Sequence, residues 1–159
     1  MTESAPDTFH EMAEEIFALT VHMWRERLAS KNSASDELSE SQFLTLDLLQ
    51  HTSPQTVGGL QRSIGVLPAQ MSRIIRSLES GFEKPLIHCE LNAQDKRKID
   101  VTLTTVGRKI YDEFRESRLA KTSEILARLP ENDRTEFVRI CREIKAFYRD
   151  SSQKPVASA

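Results

Sequence analysis

Apolar residues recur at helical spacing near the start of the chain, which predicts two successive helices. Between Asp7 and Ala29 an apolar side chain returns every three or four positions, as on one face of a helix. The segment LSESQFLTLDLLQHTS repeats this spacing, with Ser39 placed as its N-cap. Pro54 ends this second helix, because proline has no backbone N–H to donate. Its inward side chains would be Phe43, Leu46 and Leu49.

Two shorter helices follow, separated by a glycine. The segment TVGGLQRSIG predicts a weak helix, because Gly58 and Gly59 lower helical stability. Gly65 then suits a tight turn. Pro68 fits the first position of the next helix, which Gly81 closes. One face of that helix carries Met71, Ile74 or Ile75, and Leu78.

A β-hairpin and two long helices complete the pattern. The segments PLIHCEL and RKIDVTL alternate apolar and polar residues and flank NAQDK, which predicts a hairpin. Thr104 can cap a long helix that carries apolar residues from Val106 to Leu129. Pro130 starts a last helix with a single apolar stripe. The order is therefore helix, helix, short helix, helix, hairpin, helix, helix.

Composition narrows the class of protein. A chain of 159 residues with 38% hydrophobic content suits one domain, and its few glycines and prolines argue against a turn-rich β protein. No apolar run is long enough to cross a bilayer, so we expect no membrane partner. The acidic N-terminus lacks the features of a signal peptide, and the two distant cysteines give no disulfide framework. These features favour a cytoplasmic location.

Charge is distributed unevenly along the chain. The formal net charge is −2, yet residues 60–110 hold nine Lys or Arg against five Asp or Glu, which is +4. The remaining residues therefore carry −6. A basic middle between acidic ends indicates an anionic partner that meets the middle alone.

The two short helices around the glycine form a helix-turn-helix pattern. An α-helix fits the major groove of B-DNA, where Arg and Gln can bond purine edges and Ser and Arg can bond phosphates. An ordinary amphipathic helix with a solvated face gives the same pattern, and this segment taken alone favours that plainer interpretation. The second helix turns these polar residues largely away from its apolar face: Gln70, Ser72, Arg73, Arg76 and Ser77.

The basic tip of the hairpin favours the DNA-binding interpretation over the ordinary amphipathic helix. Three consecutive cations follow Asp95, namely Lys96, Arg97 and Lys98. A basic tip soon after such a helix can reach the adjacent minor groove, where a narrow groove concentrates negative potential and favours Arg. We expect Arg97 in the minor groove and the two lysines on phosphates. Asp95 would hold the Arg97 guanidinium or shape the turn through nearby backbone amides.

With both motifs present, the chain resembles the MarR (multiple antibiotic resistance regulator) family of winged-helix transcription factors. MSRIIRSLE is similar to the family's recognition helix, and DKRKIDVTLTTVGRKI is similar to its wing, with an Asp-x-Arg tip. The resemblance implies a mainly α winged helix-turn-helix with a two-stranded β-wing and long terminal helices. It also implies a homodimer, a palindromic operator on double-stranded DNA and, often, a small-molecule or oxidation signal.

The resemblance further implies how one MarR-like chain, residues 1–159, is organised. The N-terminal dimerisation helix covers 6–30, the winged helix-turn-helix domain covers 38–104, and the C-terminal dimerisation helices cover 105–150. The expected function is that of a homodimeric repressor. The residues expected to bind DNA are Pro68, Ala69, Gln70, Ser72, Arg73, Arg76, Ser77, Lys96, Arg97 and Lys98.

The chain departs from the family's pattern around both motifs. Arg76 stands where an acid is common, and Leu67 stands where a capping Ser is common. The segment FEKP is added before the first wing strand, where Pro85 replaces the usual Gly. Cys89 occupies a position that is often Arg.

Other functions depend on fewer residues. Cys89 and Cys141 could be sensors in a thiol-based redox switch, although packing is the commoner role of such cysteines. His10 and Glu14 lie one turn apart, but two residues are not a metal site. No nucleophile elbow or Gly-rich phosphate loop occurs, so we expect neither an enzyme nor a cofactor. The rival interpretation is a winged-helix module that binds an acidic protein.

Overall fold

Six helices and three strands make up the described part of the chain. The structure is a computed structural model that describes residues 8–29 and 38–152. It contains two compact units, one ending at Phe114 and one beginning at Arg115. The predicted order of elements is confirmed, with one strand added. The elements are α1 (Phe9–Ala29), α2 (Glu40–His51), β1 (Gln55–Thr56), α3 (Val57–Ile64), α4 (Pro68–Ser80), β2 (Ile87–Leu91), β3 (Ile99–Leu103), α5 (Thr105–Leu126) and α6 (Glu131–Ser152).

The sheet is antiparallel, with its strands in the order β1, β3, β2. β2 and β3 pair from Ile87 opposite Leu103 to Leu91 opposite Ile99, which confirms the hairpin. β1 pairs with the other edge of β3. The sequence predicted only the two wing strands, because a strand of two residues is too short to display a period of two.

Four of the described helices begin at side-chain caps, and at α1 Thr8 and Glu11 bond each other's backbone N–H. The hydroxyl of Ser39 accepts the N–H of Gln42 at 3.3 Å, and the Gln42 side-chain oxygen accepts the N–H of Ser39 at 2.7 Å. This reciprocal pair confirms the predicted cap of α2. Thr56 caps α3 by accepting a hydrogen bond from the N–H of Gly59. Thr104 does the same for α5, as predicted.

The turn between α3 and α4 follows the prediction. Gly65 ends α3 with a φ of 75°, a left-handed conformation that glycine adopts without a steric penalty. Pro68 is the first residue of α4. The backbone N–H at this position makes no hydrogen bond within a helix, so a proline there costs none. Gly81 caps the end of α4 with its N–H on the Ser77 carbonyl oxygen. The two helices therefore form a helix-turn-helix.

One hydrophobic core joins these helices to the sheet. It contains Leu46 and Leu49 of α2, as predicted. The other side chains that are less than 2% exposed include Leu60, Met71, Leu78, Leu86, Ile87 and Val101. Because apolar burial is the main favourable term in folding, this shared core holds the two short helices and the wing in fixed positions relative to one another.

Aromatic residues pack α2 against the beginning of α5. The ring of Phe43 stacks on those of Tyr111 and Phe114, with centroid distances of 5.4 Å and 4.5 Å. The Tyr111 hydroxyl donates a hydrogen bond of 2.7 Å to the Asp47 carboxylate. Phe43 is thus inward, as expected from the spacing of α2.

The terminal helices carry exposed apolar side chains. On α1 these include Phe9, Ile16 and Phe17, with Phe9 being 90% exposed. In the second unit, α6 exposes Phe147 and Tyr148. None of the helices within the described ranges is both long and apolar enough to cross a membrane.

One predicted helix limit differs from the structure. α5 ends at Leu126 instead of reaching Leu129, since a turn follows in which the N–H of Leu129 bonds the carbonyl of Leu126. The short i to i+3 spacing of that bond marks a tightened helix end. The predicted start of the first helix, Asp7, lies outside the described residues.

Candidate nucleic-acid interface

The second helix of the helix-turn-helix, α4, has one buried and one open face. Met71 and Leu78 are 1% and 0% exposed, and both Ile74 and Ile75 are half-buried against the core. The opposite face leaves six of the sequence-predicted site residues exposed: Pro68, Ala69, Gln70, Ser72, Arg73 and Arg76. Four of these, at positions 69, 72, 73 and 76, follow the spacing of one helical stripe.

Four polar residues of α4 have structural partners, and two of them, Ser72 and Ser80, donate to the carbonyl oxygens of Pro68 and Arg76 in the same helix. The Gln70 side-chain oxygen accepts the N–H of Leu67 at 3.2 Å and so partly replaces the cap that Leu67 lacks. Ser77 is half-buried, and its hydroxyl accepts a hydrogen bond of 2.8 Å from the amide of Gln42. Ser77 therefore faces α2, unlike the six exposed residues, and this position corrects the expectation that it faces outward.

No carboxylate among the described residues lies within ion-pair distance of Arg73 or Arg76, the two arginines on the open face. Arg139 on α6 shows the contrast, because it bonds Glu136 and Glu143 of its own helix. The positive charge of the α4 face is thus available to an external anion.

The wing tip is a closed network of hydrogen bonds. The Asn92 side-chain oxygen accepts the N–H groups of Gln94 and Asp95 at 2.9 Å and 2.8 Å. Its amide nitrogen donates to the Asp100 carboxylate at 2.8 Å. The Asp95 carbonyl oxygen accepts the N–H of Lys98. Sequence analysis missed Asn92 and Asp100, although an Asn at the start of a turn is a usual sign of such local bonding.

Asp95 performs both roles considered for it. One oxygen accepts the N–H of Arg97 at 3.2 Å and the guanidinium Nε at 3.1 Å, while the other lies 3.4 Å from the Lys98 ammonium. These hydrogen bonds from Arg97 hold the pKa of Asp95 below its ordinary value. The Arg97 side chain is nevertheless 91% exposed. Lys96 is also exposed at this tip.

Both cysteines are free and half-buried. Cys89, half-buried in β2, has its pKa raised to about 11 by burial and by the neighbouring Glu79 carboxylate. At neutral pH it is therefore a thiol, whereas oxidation and alkylation proceed through the thiolate. Cys141 is half-buried on α6. His10 and Glu14 form an exposed pair, and no cluster of three metal-binding side chains occurs among the residues described.

One family model matches the winged-helix part of the chain. The model of the MarR family matches residues 38–99, from the N-terminus of the α2 region to the start of β3. None of the curated proteins matches the chain by sequence.

Solved structures share the fold over most of the chain. RV1404 from Mycobacterium tuberculosis is 19% identical with a TM-score of 0.75, and the match covers 91% of this chain and 97% of that one. FabT from Streptococcus pneumoniae, in complex with DNA, is 17% identical with a TM-score of 0.73, over 90% and 99% of the two chains. BpsR from Bordetella bronchiseptica, whose DNA binding is regulated by 6-hydroxynicotinic acid, is 20% identical with a TM-score of 0.57, over 82% and 98%. At these identities the likeness establishes the fold.

Proposed function

Residues 38–99 of this protein are a MarR-family winged-helix domain, the DNA-binding part of a family of transcription regulators, and we propose that the protein binds a specific DNA operator as a homodimeric repressor. The observation that carries the proposal is the open face of α4. Its two arginines, Arg73 and Arg76, have no acidic partners in the described structure, and the opposite face anchors the helix in the core. A rigid helix with unpaired cations is suited to DNA.

Each part of the domain has a distinct role in this proposal. α4 enters a major groove, where Arg73, Arg76 and Gln70 meet base edges or phosphates. Gln70 keeps its amide N–H groups for this purpose, since its bond to Leu67 uses the side-chain oxygen. Pro68, Ala69 and Ser72 lie along the same open face. Ser77 is excluded because its hydroxyl faces α2.

The wing reaches the adjacent minor groove. Arg97 is the inserted residue, because its side chain is 91% exposed and Asp95 bonds its guanidinium. Lys96 and Lys98 bond phosphates on either side. The closed hydrogen-bond network of the tip supports this role, since a rigid tip loses less conformational entropy on binding.

A second copy of the chain completes the regulator. The apolar side chains exposed on α1 and on α6 are larger and more numerous than a solvated surface usually carries. We assign residues 6–30 and 105–150 to the dimer interface, on either side of the winged helix-turn-helix domain at 38–104. Light scattering at micromolar concentration should give a mass near twice 18.1 kDa. A stable monomer with full operator affinity would refute this arrangement.

A dimer also explains how an effector can act. Two α4 helices bound to half-sites about one helical turn apart tolerate little change in their spacing. A small molecule that alters this spacing weakens binding. The regulation of BpsR by 6-hydroxynicotinic acid supports an effector of this general kind. A DNA partner places the protein in the cytoplasm.

The experiment that tests the proposal is selection of bound fragments from the source genome. A regulator should enrich a palindromic sequence, bind it with an affinity that falls steeply as salt rises, and release it only to the same sequence in competition. The rival function is a module that binds an acidic protein through the same basic surface. Such a module would enrich no DNA sequence, and it would bind every duplex with the same low affinity.

A further inference from the structure

A basic cleft separates the beginning of α3 from the wing. Thr56, Val57 and Gly58 line one side, and Arg97 and Lys98 line the other. Arg62 from the last turn of α3 and Ile99 of β3 also line the cleft, which has a volume of about 410 Å³. Its lining thus includes three cationic side chains and no carboxylate.

Arg62 extends over the bare backbone of Gly58. A Cβ placed on Gly58 would lie 3.5 Å from Nη1 of Arg62 and would meet no other atom at that range. Long helical side chains lean toward the helix N-terminus, so Arg62 covers the position one turn before it. The absence of a side chain at Gly58 keeps the space beside the guanidinium open.

The charge of Arg62 is not used within the described structure. No acid in residues 8–29 or 38–152 pairs with it. A cation in the last turn of a helix can simply complement the helix dipole. Arg62 could complement the helix dipole with its side chain pointing in any direction into solvent. Its side chain instead lies in a cleft with two further cations. The position therefore points to an external anion.

We propose that this cleft holds one phosphate of the DNA backbone, gripped by Arg62 and Lys98 beside Gly58. The inference rests on the proposed function. In a helix-turn-helix the first helix crosses the backbone. With α4 in the major groove and the wing in the minor groove, the strand between the grooves passes the beginning of α3.

The openness of the cleft favours a backbone phosphate over a small free anion. Arg62, Arg97 and Lys98 are all exposed. Pockets for small molecules bury most of the ligand surface and are lined mainly by apolar side chains. An exposed basic cleft binds a single free anion weakly, but many such contacts act together along a duplex.

Gly58→Glu and Gly58→Gln test the proposal as a matched pair. Both side chains fill the same space, and both suit the second position of a helix. Glu there also benefits from the helix dipole and from Arg62 four residues later, so Gly58→Glu should fold at least as well as Gly58→Gln. The probe is a duplex of mixed sequence, since a phosphate contact does not depend on the bases.

We expect Gly58→Glu to bind the mixed duplex about tenfold more weakly than Gly58→Gln at 0.1 M salt, the scale of one lost phosphate contact. Arg62→Gln should reduce the slope of log affinity against log salt by about 0.9, for the same reason. Equal affinity of the two Gly58 variants, with an unchanged slope for Arg62→Gln, would overturn the proposal. If wild type binds no duplex at all, the proposed function itself fails instead.

A second measurement separates a backbone phosphate from a free anion. Inorganic phosphate and chloride are compared as competitors of the mixed duplex at equal ionic strength. We expect phosphate and chloride to displace the mixed duplex equally well from wild type, and equally well from Gly58→Glu. Stronger competition by phosphate on wild type alone would show that the cleft is a site for free anions, and would overturn the assignment to DNA.

Discussion

The side-chain amide of Gln42 donates a hydrogen bond of 2.8 Å to the hydroxyl of Ser77, joining α2 to α4. The same amide group caps α2, because its oxygen accepts the N–H of Ser39. One side chain therefore caps α2 and contacts α4, while the buried Met71 and Leu78 hold α4 in the core.

Ser77→Ala should lower stability and leave DNA binding unchanged. The substitution removes the acceptor of a half-buried hydrogen bond, so the free energy of unfolding should fall by about 0.5–1.5 kcal/mol. Urea denaturation measures this loss, and Ser72→Ala on the exposed face of the same helix is the control. Normal stability together with weakened DNA binding would restore Ser77 to the DNA-binding surface.

Gly107→Ala should prevent stable folding, because the start of α5 touches the backbone of Leu86, the residue before β2. A Cβ on Gly107 would lie 1.9 Å from the carbonyl oxygen of Leu86, a contact that backbone atoms cannot relieve. We expect a loss of about 3 kcal/mol or more. Gly58→Ala is the control, since its Cβ meets only Arg62 at 3.5 Å, and it should change stability by less than about 1 kcal/mol. Thermal unfolding followed by circular dichroism compares the two.

These two contacts indicate what the sequence can and cannot predict. Caps, turn glycines and apolar spacing are local, so the helices, the hairpin and the cap at Ser39 follow from residues a few positions apart. The residues that Ser77 and Gly107 contact, Gln42 and Leu86, lie 35 and 21 residues away in sequence, so no local pattern predicts these contacts. Spacing placed Ser77 near the open face because half-buried positions border both faces of a helix.

The candidate site shows the same limit. The charges at 96–98 and on α4 are visible in the sequence, as is the Asp95 two residues before Arg97. The cleft at Arg62 and Gly58 is not, because it forms only when β3 brings the wing beside α3. Likewise β1 exists only as a partner of β3.

Cys89 should make stability fall at alkaline pH. Burial and Glu79 raise its pKa from 9.0 to about 11, so the folded protein retains a proton that the unfolded chain loses above pH 9. The free energy of unfolding should therefore decrease as pH rises from about 9 to about 11, and it should decrease less in Cys89→Ser. Urea denaturation across this range compares the two proteins, and identical slopes would contradict the expectation.

Asp95→Asn should reduce the preference of the wing for one DNA sequence. The neutral amide removes the ion pair with the Arg97 guanidinium, and the net charge of the tip becomes more positive by one. We therefore expect affinity for scrambled DNA to rise and the ratio of operator to scrambled affinity to fall. Fluorescence anisotropy on both duplexes measures the ratio. An unchanged ratio would mean that Asp95 has no part in aiming Arg97.

Arg73→Ala and Arg97→Ala should weaken DNA binding in different ways. Arg73 lies on the open face of α4, so a lost base contact should cost about 1–3 kcal/mol on operator alone. Arg97 stands at the wing tip, so its loss should weaken operator and scrambled DNA more evenly and reduce the salt slope by about 1. Neither change should affect folding, because both side chains are exposed.

The central claim is that α4 reads the sequence of DNA, and one measurement tests it most directly. Wild type and Arg73→Ala are titrated with salt on the selected operator and on its scrambled duplex. We expect wild type to prefer operator at every salt concentration, and Arg73→Ala to lose much of this preference while retaining its affinity for scrambled DNA. An undiminished preference in Arg73→Ala, or equal affinity of wild type for both duplexes, would contradict it.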